Sequence, residues 1–309
     1  MSALAQNARD YLALRRSLGH KLAEAAWLLP SFVAYLDATG TATVTVAAAL
    51  AWSMEATPGT EMGSRRMRVA RGLARHMAGI DPTTEIPPLG LLPSRQRWRP
   101  PFIYTPADID ALMRQARVSI RPPLLAETFA TVIGLLAVTG MRIGEVIRLD
   151  HPDVDLVTGV VLVRESKFTK SRMIPLHPSA LGALQRYAAR RDAEHPRPVT
   201  ASFFVSVTGR RLIYTTVGQT FRQLCQSAEI GIGARRRPRL HDLRHTFAVT
   251  SLVNWYRAGD DVTAKMPLLS TYLGHHEPSS TYWYLSAAPE LLALAAGRLE
   301  AAGAGEVVP

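Results

Sequence analysis

The chain has 309 residues, 36 of them Lys or Arg against 25 Asp or Glu, for a formal net charge of +11, so its partner is expected to be a polyanion, most simply nucleic acid. A hydrophobic fraction of 47% excludes a disordered or fibrous chain, and a single cysteine, Cys225, excludes an intrachain disulfide and fits a reducing cytoplasm. No stretch reaches the length of a membrane span and the N-terminus has no signal-peptide pattern, so no membrane partner and a cytoplasmic location are expected.

Residues 5 to 38 read as two helices, because Tyr11, Leu14 and Leu18, then Leu22, Leu29, Phe32, Val33 and Leu36, recur at helical spacing. Gly19 interrupts the first and Gly40 ends the second. The Ala-rich run Thr43 to Trp52 predicts a third helix capped by Thr45, and Thr57-Pro58-Gly59-Thr60 predicts a turn. From Gly63 to Met77 the chain carries Arg65, Arg66, Arg68, Arg71 and Arg75 and no acid. Val69, Leu73 and Met77 form an apolar stripe, with Arg68, Arg71 and Arg75 on another face. A solvated face usually mixes both signs, so a helix facing DNA phosphates is preferred here. Residues 1 to 85 are therefore expected to form a helical DNA-binding domain. Residues 86 to 104, rich in Pro and carrying Arg95, Arg97 and Arg99, are expected to be an extended linker along a phosphate backbone.

Residues 105 to 300 predict a second, mostly helical domain with a small β piece between Val154 and Leu176, followed by a disordered tail over 301 to 309. Thr105-Pro106-Ala107-Asp108 opens it with a cap, a Pro at the first helical position and an acid in the first turn. The apolar run Thr131 to Val138 reads as a buried helix, after which Gly140-Met141-Arg142-Ile143-Gly144-Glu145 aims an arginine inward between glycines. Glu145 could hold Arg142 in a salt bridge, or the two could form an ordinary surface pair. A hairpin is expected from Gly159 to Pro175, its turn holding Lys167 and Lys170, with Arg172 just beyond, and Lys170 and Arg172 are expected to contact DNA. A helix over 178 to 191, a short strand over Ser202 to Val207, a turn at Thr208 to Arg211 and a helix over 214 to 229 follow. Arg235, Arg236, Arg237 and Arg239 form a basic loop before His241, suited to clamping a phosphate backbone. His241-Asp242-Leu243-Arg244-His245 sets a proton acceptor and a fixed cation three residues apart on one helical face. The chain then reaches Leu273-Gly274-His275-His276 and Tyr284, whose phenol can be a covalent nucleophile once cations or a base surround it. Pro289 to Leu299 is expected to form a final apolar helix that could cover its own core.

Arg142, Lys167, His241-x-x-Arg244, His275 and Tyr284, in this order and with Tyr284 nine residues after His275, resemble the tyrosine recombinases, also called the phage integrase family. The resemblance covers residues 105 to 300, and it departs from the usual pattern in Leu285-Ser286 after the tyrosine and in Ser166 and Phe168 beside the lysine. With glycines absent there, Lys170 remains an alternative to Lys167. The fold implied is mainly α with a small β-sheet: a helical core-binding domain and a mixed α/β catalytic domain. The activity implied is site-specific DNA recombination through a 3′-phosphotyrosine, on double-stranded DNA with inverted half-sites. A homotetramer on DNA and an accessory bending or directionality factor are implied with it, and the resemblance adds packing on a neighbouring subunit as an equal alternative for the helix over Pro289 to Leu299.

In that chemistry Tyr284 attacks phosphorus, Arg142 and Arg244 stabilise charge on the non-bridging oxygens, and His241 is the first choice to receive the phenol proton. The resemblance gives Lys167 the protonation of the leaving 5′ oxygen and His275 the orientation of the phosphate. No cofactor and no metal are expected, adjacent histidines such as His275 and His276 pointing different ways. Tyr282 is the rival nucleophile without the nine-residue offset, and His245 is expected to pack or cap rather than react. Asp242 is read as a local cap or a support behind the site. Two other activities stay open: type IB topoisomerase-like relaxation by the same chemistry, and DNA binding without catalysis.

Overall fold

The computed structural model describes residues 2–58, 60–92, 100–164, 171–274 and 279–286, with residues 291, 293 and 296 beyond. Lys167, Lys170, His275, Arg95, Arg97 and Arg99 lie outside the described residues, as do most of the expected last helix and the tail. The chain divides into two compact units, Met1–Trp98 and Arg99–Pro309.

The first unit is helical: α1 (Ala3–Ser17), α2 (Ala23–Ala38), α3 (Val46–Met54) and α4 (Met62–Met77). Ser2 caps α1 by accepting from the Ala5 N–H, and Thr45 caps α3 by accepting from the Ala48 N–H at 3.1 Å. The apolar stripes meet in one core that includes Leu29, Phe32, Leu36, Trp52, Leu73 and Met77. Here the expected linker is corrected at its N-terminal end. Glu85 bonds Val44 by its backbone N–H (2.8 Å) and accepts from the Val46 N–H (2.7 Å). Just beyond, the carbonyls of Pro87 and Pro88 each accept from Arg71 at 2.7 Å. Prolines lack an N–H, so their free carbonyls are what a side-chain fork can hold, and residues 84 to 88 belong to this unit.

The second unit opens with α5 (Pro106–Ser119), α6 (Pro123–Thr139) and α7 (Ile143–Arg148). Thr105 and Asp108 form a reciprocal capping box at the start of α5, with Pro106 at the first helical position. A three-stranded antiparallel sheet follows in the order β1 (Val154–Asp155), β2 (Val160–Val163), β3 (Arg172–Pro175). Val161 stands opposite Ile174 and Val163 opposite Arg172, so the buried Val161, Val163 and Ile174 share one face. Helices α8 (Pro178–Glu194) and α9 (Tyr214–Ser227) cover the core formed by α5, α6 and the sheet. The strand expected over Ser202 to Val207 is instead two single bridges, Asp150 to Ser202 and Val205 to Arg211. Phe203 and Phe204 are both buried, which breaks the alternation a strand needs.

Helices α10 (Leu240–Arg257) and α11 (Val262–Leu273) share a second apolar cluster. A short helix, α12 (Ser279–Tyr282), and a 3₁₀ turn over Trp283–Ser286 follow, and Tyr284 is anchored in that cluster. Among the described residues no helix is long and apolar enough to cross a membrane.

Candidate active site

The site is assembled around a tight turn. Helix α6 ends at Gly140, whose φ of +60° is a left-handed conformation that a side chain disfavours. A Cβ at Gly140 would meet Phe247 Cδ1 at 2.6 Å, so only glycine fits. That turn places Arg142 as the cap of α7, where the Glu145 carboxylate accepts its backbone N–H at 2.9 Å and its Nη1 at 2.8 Å. Arg142 Nη2 donates to the Gly274 carbonyl at 3.0 Å, which ties the α6–α7 turn to the end of α11.

Glu145 is buried and serves a second arginine. Arg172, at the start of β3, donates Nη1 to Oε1 at 3.1 Å and Nη2 to Oε2 at 2.8 Å. This fork-to-fork pair is the geometry in which an arginine is most strongly held. Burial would raise the Glu145 carboxyl, but the hydrogen bonds and charge of Arg172, then those of Arg142, hold it at about 2. Arg172 was expected to contact DNA. Its guanidinium is instead mostly enclosed, and it orders Glu145 and so Arg142.

Arg244, on the first turns of α10, is 2% exposed. Its Nη1 donates to the Gly140 carbonyl at 2.8 Å and its Nη2 to the Leu273 carbonyl at 2.7 Å. Burial first and the charge of Arg142 second lower its pKa to about 10, with Tyr284 and Glu145 opposing, so it stays a cation at neutral pH. The start of α10 mirrors that of α7: the Asp242 carboxylate accepts the Arg239 backbone N–H at 2.9 Å and its Nη2 at 2.9 Å. Asp242 is thus a local cap that restrains the basic loop. Behind it, Tyr104 donates its hydroxyl to the Arg239 carbonyl at 3.0 Å. Cys225 is buried, as the sequence implied, and burial pushes its thiol up to about 12.

Tyr284 is 1% exposed, whereas Tyr282 is 44% exposed. The Tyr284 hydroxyl lies 3.1 Å from His245 Nδ1 and is also hydrogen-bonded by Arg244. Burial raises its pKa, and the charge and hydrogen bond of Arg244, with the charge of Arg142, pull it back down. Cations surround the phenol as a nucleophilic tyrosine requires. His241 stands one helical turn from His245, their rings edge to face with centroids 4.7 Å apart. Desolvation by its neighbours, then the charges of Arg244 and Arg239, lower His241 to about 4, while part of the residue still faces solvent. His245, packed against Trp283 as well as Tyr284, is lowered to about 3 by burial, then by His241, Arg239, Arg244 and Arg236.

The structure thus brings together Arg142, His241, Arg244 and Tyr284 from three separate stretches of sequence. Glu145, Arg172 and His245 complete the arrangement, the last two in roles the sequence reading did not give them. His245 was discoverable from its spacing, since residues four apart share a helical face. Arg172 was not, because its partner is 27 residues away on another element.

The arginines expected to face DNA divide into two kinds. Arg66 donates to the Trp52 carbonyl at 2.8 Å and lies 5.0 Å over the Trp52 ring, and Arg71 holds Pro87 and Pro88, so both are built into the first unit. Arg65 pairs with Glu24, which Arg68 also approaches at 3.8 Å, and Arg68 and Arg75 are exposed. Arg235 and Arg237 are exposed, Arg236 is half-buried, and Arg239 is held by Asp242.

Comparison with known proteins agrees in family and in fold. The model of the phage integrase family matches residues 104–290. "Putative integrase/recombinase y4rB" of Sinorhizobium fredii is 40% identical over 316 residues, covering 97% of this chain and 98% of that one. The tyrosine recombinase XerD of Pseudomonas aeruginosa is 30% identical, covering 76% of this chain and 74% of its own. The Tn1549 transposon integrase in complex with transposon right end DNA shares the fold with a TM-score of 0.66 at 17% identity, over 95% of this chain and 98% of that one. The XerH site-specific recombinase bound to palindromic difH substrate in a post-cleavage complex gives 0.66 at 17% identity, over 90% and 79%.

Proposed function

Because this chain belongs to the phage integrase family of tyrosine recombinases, we propose that it cleaves and rejoins DNA at specific sites through a 3′-phosphotyrosine formed by Tyr284. The observation that carries this reading is the Tyr284 hydroxyl held between Arg244 and His245 of the same chain, with Arg142 beside them. Arg142 and Arg244 meet the non-bridging oxygens of a phosphodiester and stabilise the charge that grows on them during attack. Arg244 suits this because backbone carbonyls fix its guanidinium before any DNA arrives. His241, at the solvent-facing edge, hydrogen-bonds the phosphate. Lys167 protonates the departing 5′ oxygen and His275 orients the phosphate, both as the family pattern implies. The covalent bond conserves the energy of the broken one, so a 5′ hydroxyl from another strand reverses the step without a nucleotide cofactor.

The substrate is double-stranded DNA with inverted half-sites, bound by a tetramer, with an accessory bending or directionality factor. The role is integration, excision or transposition of a mobile element, in a nucleoid-associated cytoplasmic setting. The complex of Tn1549 integrase with transposon right end DNA and that of XerH with its palindromic difH substrate support the partner, and the transposon source of the first supports the mobile-element role. The test is a covalent trap. Nicked duplexes tiled across the DNA flanking the gene are incubated with the wild type and with Tyr284→Phe and resolved on a denaturing gel. A shifted adduct from the wild type alone is expected. An adduct that survives Tyr284→Phe moves the nucleophile elsewhere.

A further inference from the structure

We infer that His245, rather than His241, is the group that takes the proton from the Tyr284 hydroxyl, and so a further catalytic residue of the reaction. This deepens the proposed function and rests on it. Four observations carry it.

First, His245 Nδ1 is 3.1 Å from the Tyr284 oxygen, a hydrogen-bond distance in the chain as it stands. Second, Arg244 also bonds that oxygen, and a guanidinium only donates. The phenol oxygen therefore accepts from Arg244, which leaves its O–H to point at a lone pair, and Nδ1 offers one when Nε2 carries the ring proton. Third, the ring is fixed. It lies edge-on to His241 and to Trp283, with centroids 4.7 and 5.1 Å away, so its acceptor atom is aimed before DNA binds. Fourth, His241 one turn earlier faces partly to solvent, the side from which a phosphate must come, while His245 sits on the nucleophile's side.

The charges around His245 suit the timing of the transfer. Burial, then the charges of His241, Arg239, Arg244 and Arg236, disfavour the imidazolium on the free chain and keep the ring neutral. A bound phosphodiester brings negative charge among the same arginines and lifts the affinity of His245 for a proton as the phosphorus arrives. In the step itself the Oη–H bond breaks and its proton goes to Nδ1. The Oη–P bond forms as the P–O5′ bond breaks, and the 5′ oxygen takes a proton from the leaving-group acid, Lys167 in the proposed assignment. Religation runs the same transfers backwards.

The experiment measures single-turnover adduct formation by the full chain on a nicked duplex from the flanking DNA. It compares wild type, Tyr284→Phe, His245→Ala and His245→Gln, with gel shift and thermal melting to check binding and folding. His245→Ala is expected to lower the rate about 100-fold or more and to regain part of it in added imidazole. His245→Gln, which keeps a polar amide on the helix but cannot take the proton, is expected to bind and fold normally and stay slow. A duplex with sulfur at the bridging 5′ position, which leaves without an acid, is expected not to restore either variant. Adduct formation near the wild-type rate by His245→Ala or His245→Gln overturns the proposal, and so does rescue by the sulfur substrate. Absence of an adduct from the wild type on every duplex it binds overturns instead the reading of Tyr284 as nucleophile, and this inference falls with it.

Discussion

At the scale of single residues, the site depends on one buried carboxylate shared by two arginines. Glu145 accepts from Arg142 and from both ends of the Arg172 fork, and all three are wholly or largely withdrawn from water. Glu145→Gln removes the anion and leaves two cations facing each other without it. Breaking a buried ion pair from one side typically costs about 3 to 5 kcal/mol. That loss is expected in chemical denaturation, together with weaker adduct formation because Arg142 is no longer oriented. An unchanged midpoint would remove Glu145 from this role. The histidines give a second prediction, in pH. The unfolded chain protonates His245 near 6.5, while the folded chain holds it neutral down to about 3. Between those values the unfolded state binds more protons, so stability falls as pH falls through that window. From pH 6.5 to pH 5 the loss from His245 is at most about 2 kcal/mol, at about 1.4 kcal/mol per pH unit. His245→Gln is expected to flatten the dependence of the melting temperature on pH in this window, and an unaltered slope would contradict it.

At the scale of elements, two helix starts and one helix end position the reacting groups. Gly140 ends α6, turns the chain into Arg142, and offers its carbonyl to Arg244. Gly140→Ala puts a side chain into a left-handed conformation, worth about 1–2 kcal/mol, and drives its Cβ into Phe247. Phe247 is itself stacked on Tyr272, so it has little room to yield. A melting-point drop and loss of adduct are expected together, and a variant with normal stability and activity would refute the close contact. These elements were largely legible in the sequence because their signals are local. Thr45 and the Thr105–Asp108 box cap where composition placed them, and the glycine after the apolar run of α6 ends that helix. Glu145 beside Arg142 and Asp242 as a cap were likewise readable from a three-residue spacing. What was not legible depends on partners far along the chain. Arg172 looks like any hairpin arginine until β3 brings it to Glu145. Pro87 and Pro88 look like linker until Arg71 takes their carbonyls. Residues 202 to 207 look like a strand until Phe203 and Phe204 are both found buried.

At the scale of the whole molecule, a net charge of +11 gives an attraction to DNA that owes nothing to sequence recognition. The structure sorts the arginines that contribute to it. Arg68 and Arg75 on α4 are exposed, while Arg66 and Arg71 on the same helix are engaged with backbone carbonyls. The two pairs carry identical formal charge, so composition alone predicts the same consequence for losing any of them. Position predicts different ones. An arginine that neutralises a phosphate releases a counterion, so its removal flattens the dependence of log affinity on log salt by about one. Arg68→Ala and Arg75→Ala are each expected to weaken binding by roughly similar factors on every DNA sequence, to flatten that slope, and to leave the melting temperature unchanged. Arg71→Ala instead releases Pro87 and Pro88 and leaves their carbonyls to water, and Arg66→Ala uncovers Trp52. These two are expected to melt earlier while keeping more of the salt slope. Fluorescence anisotropy on one duplex across a salt series, beside thermal melting of the same four variants, separates the pairs. A single pattern across all four would mean that α4 presents one undivided cationic face to DNA.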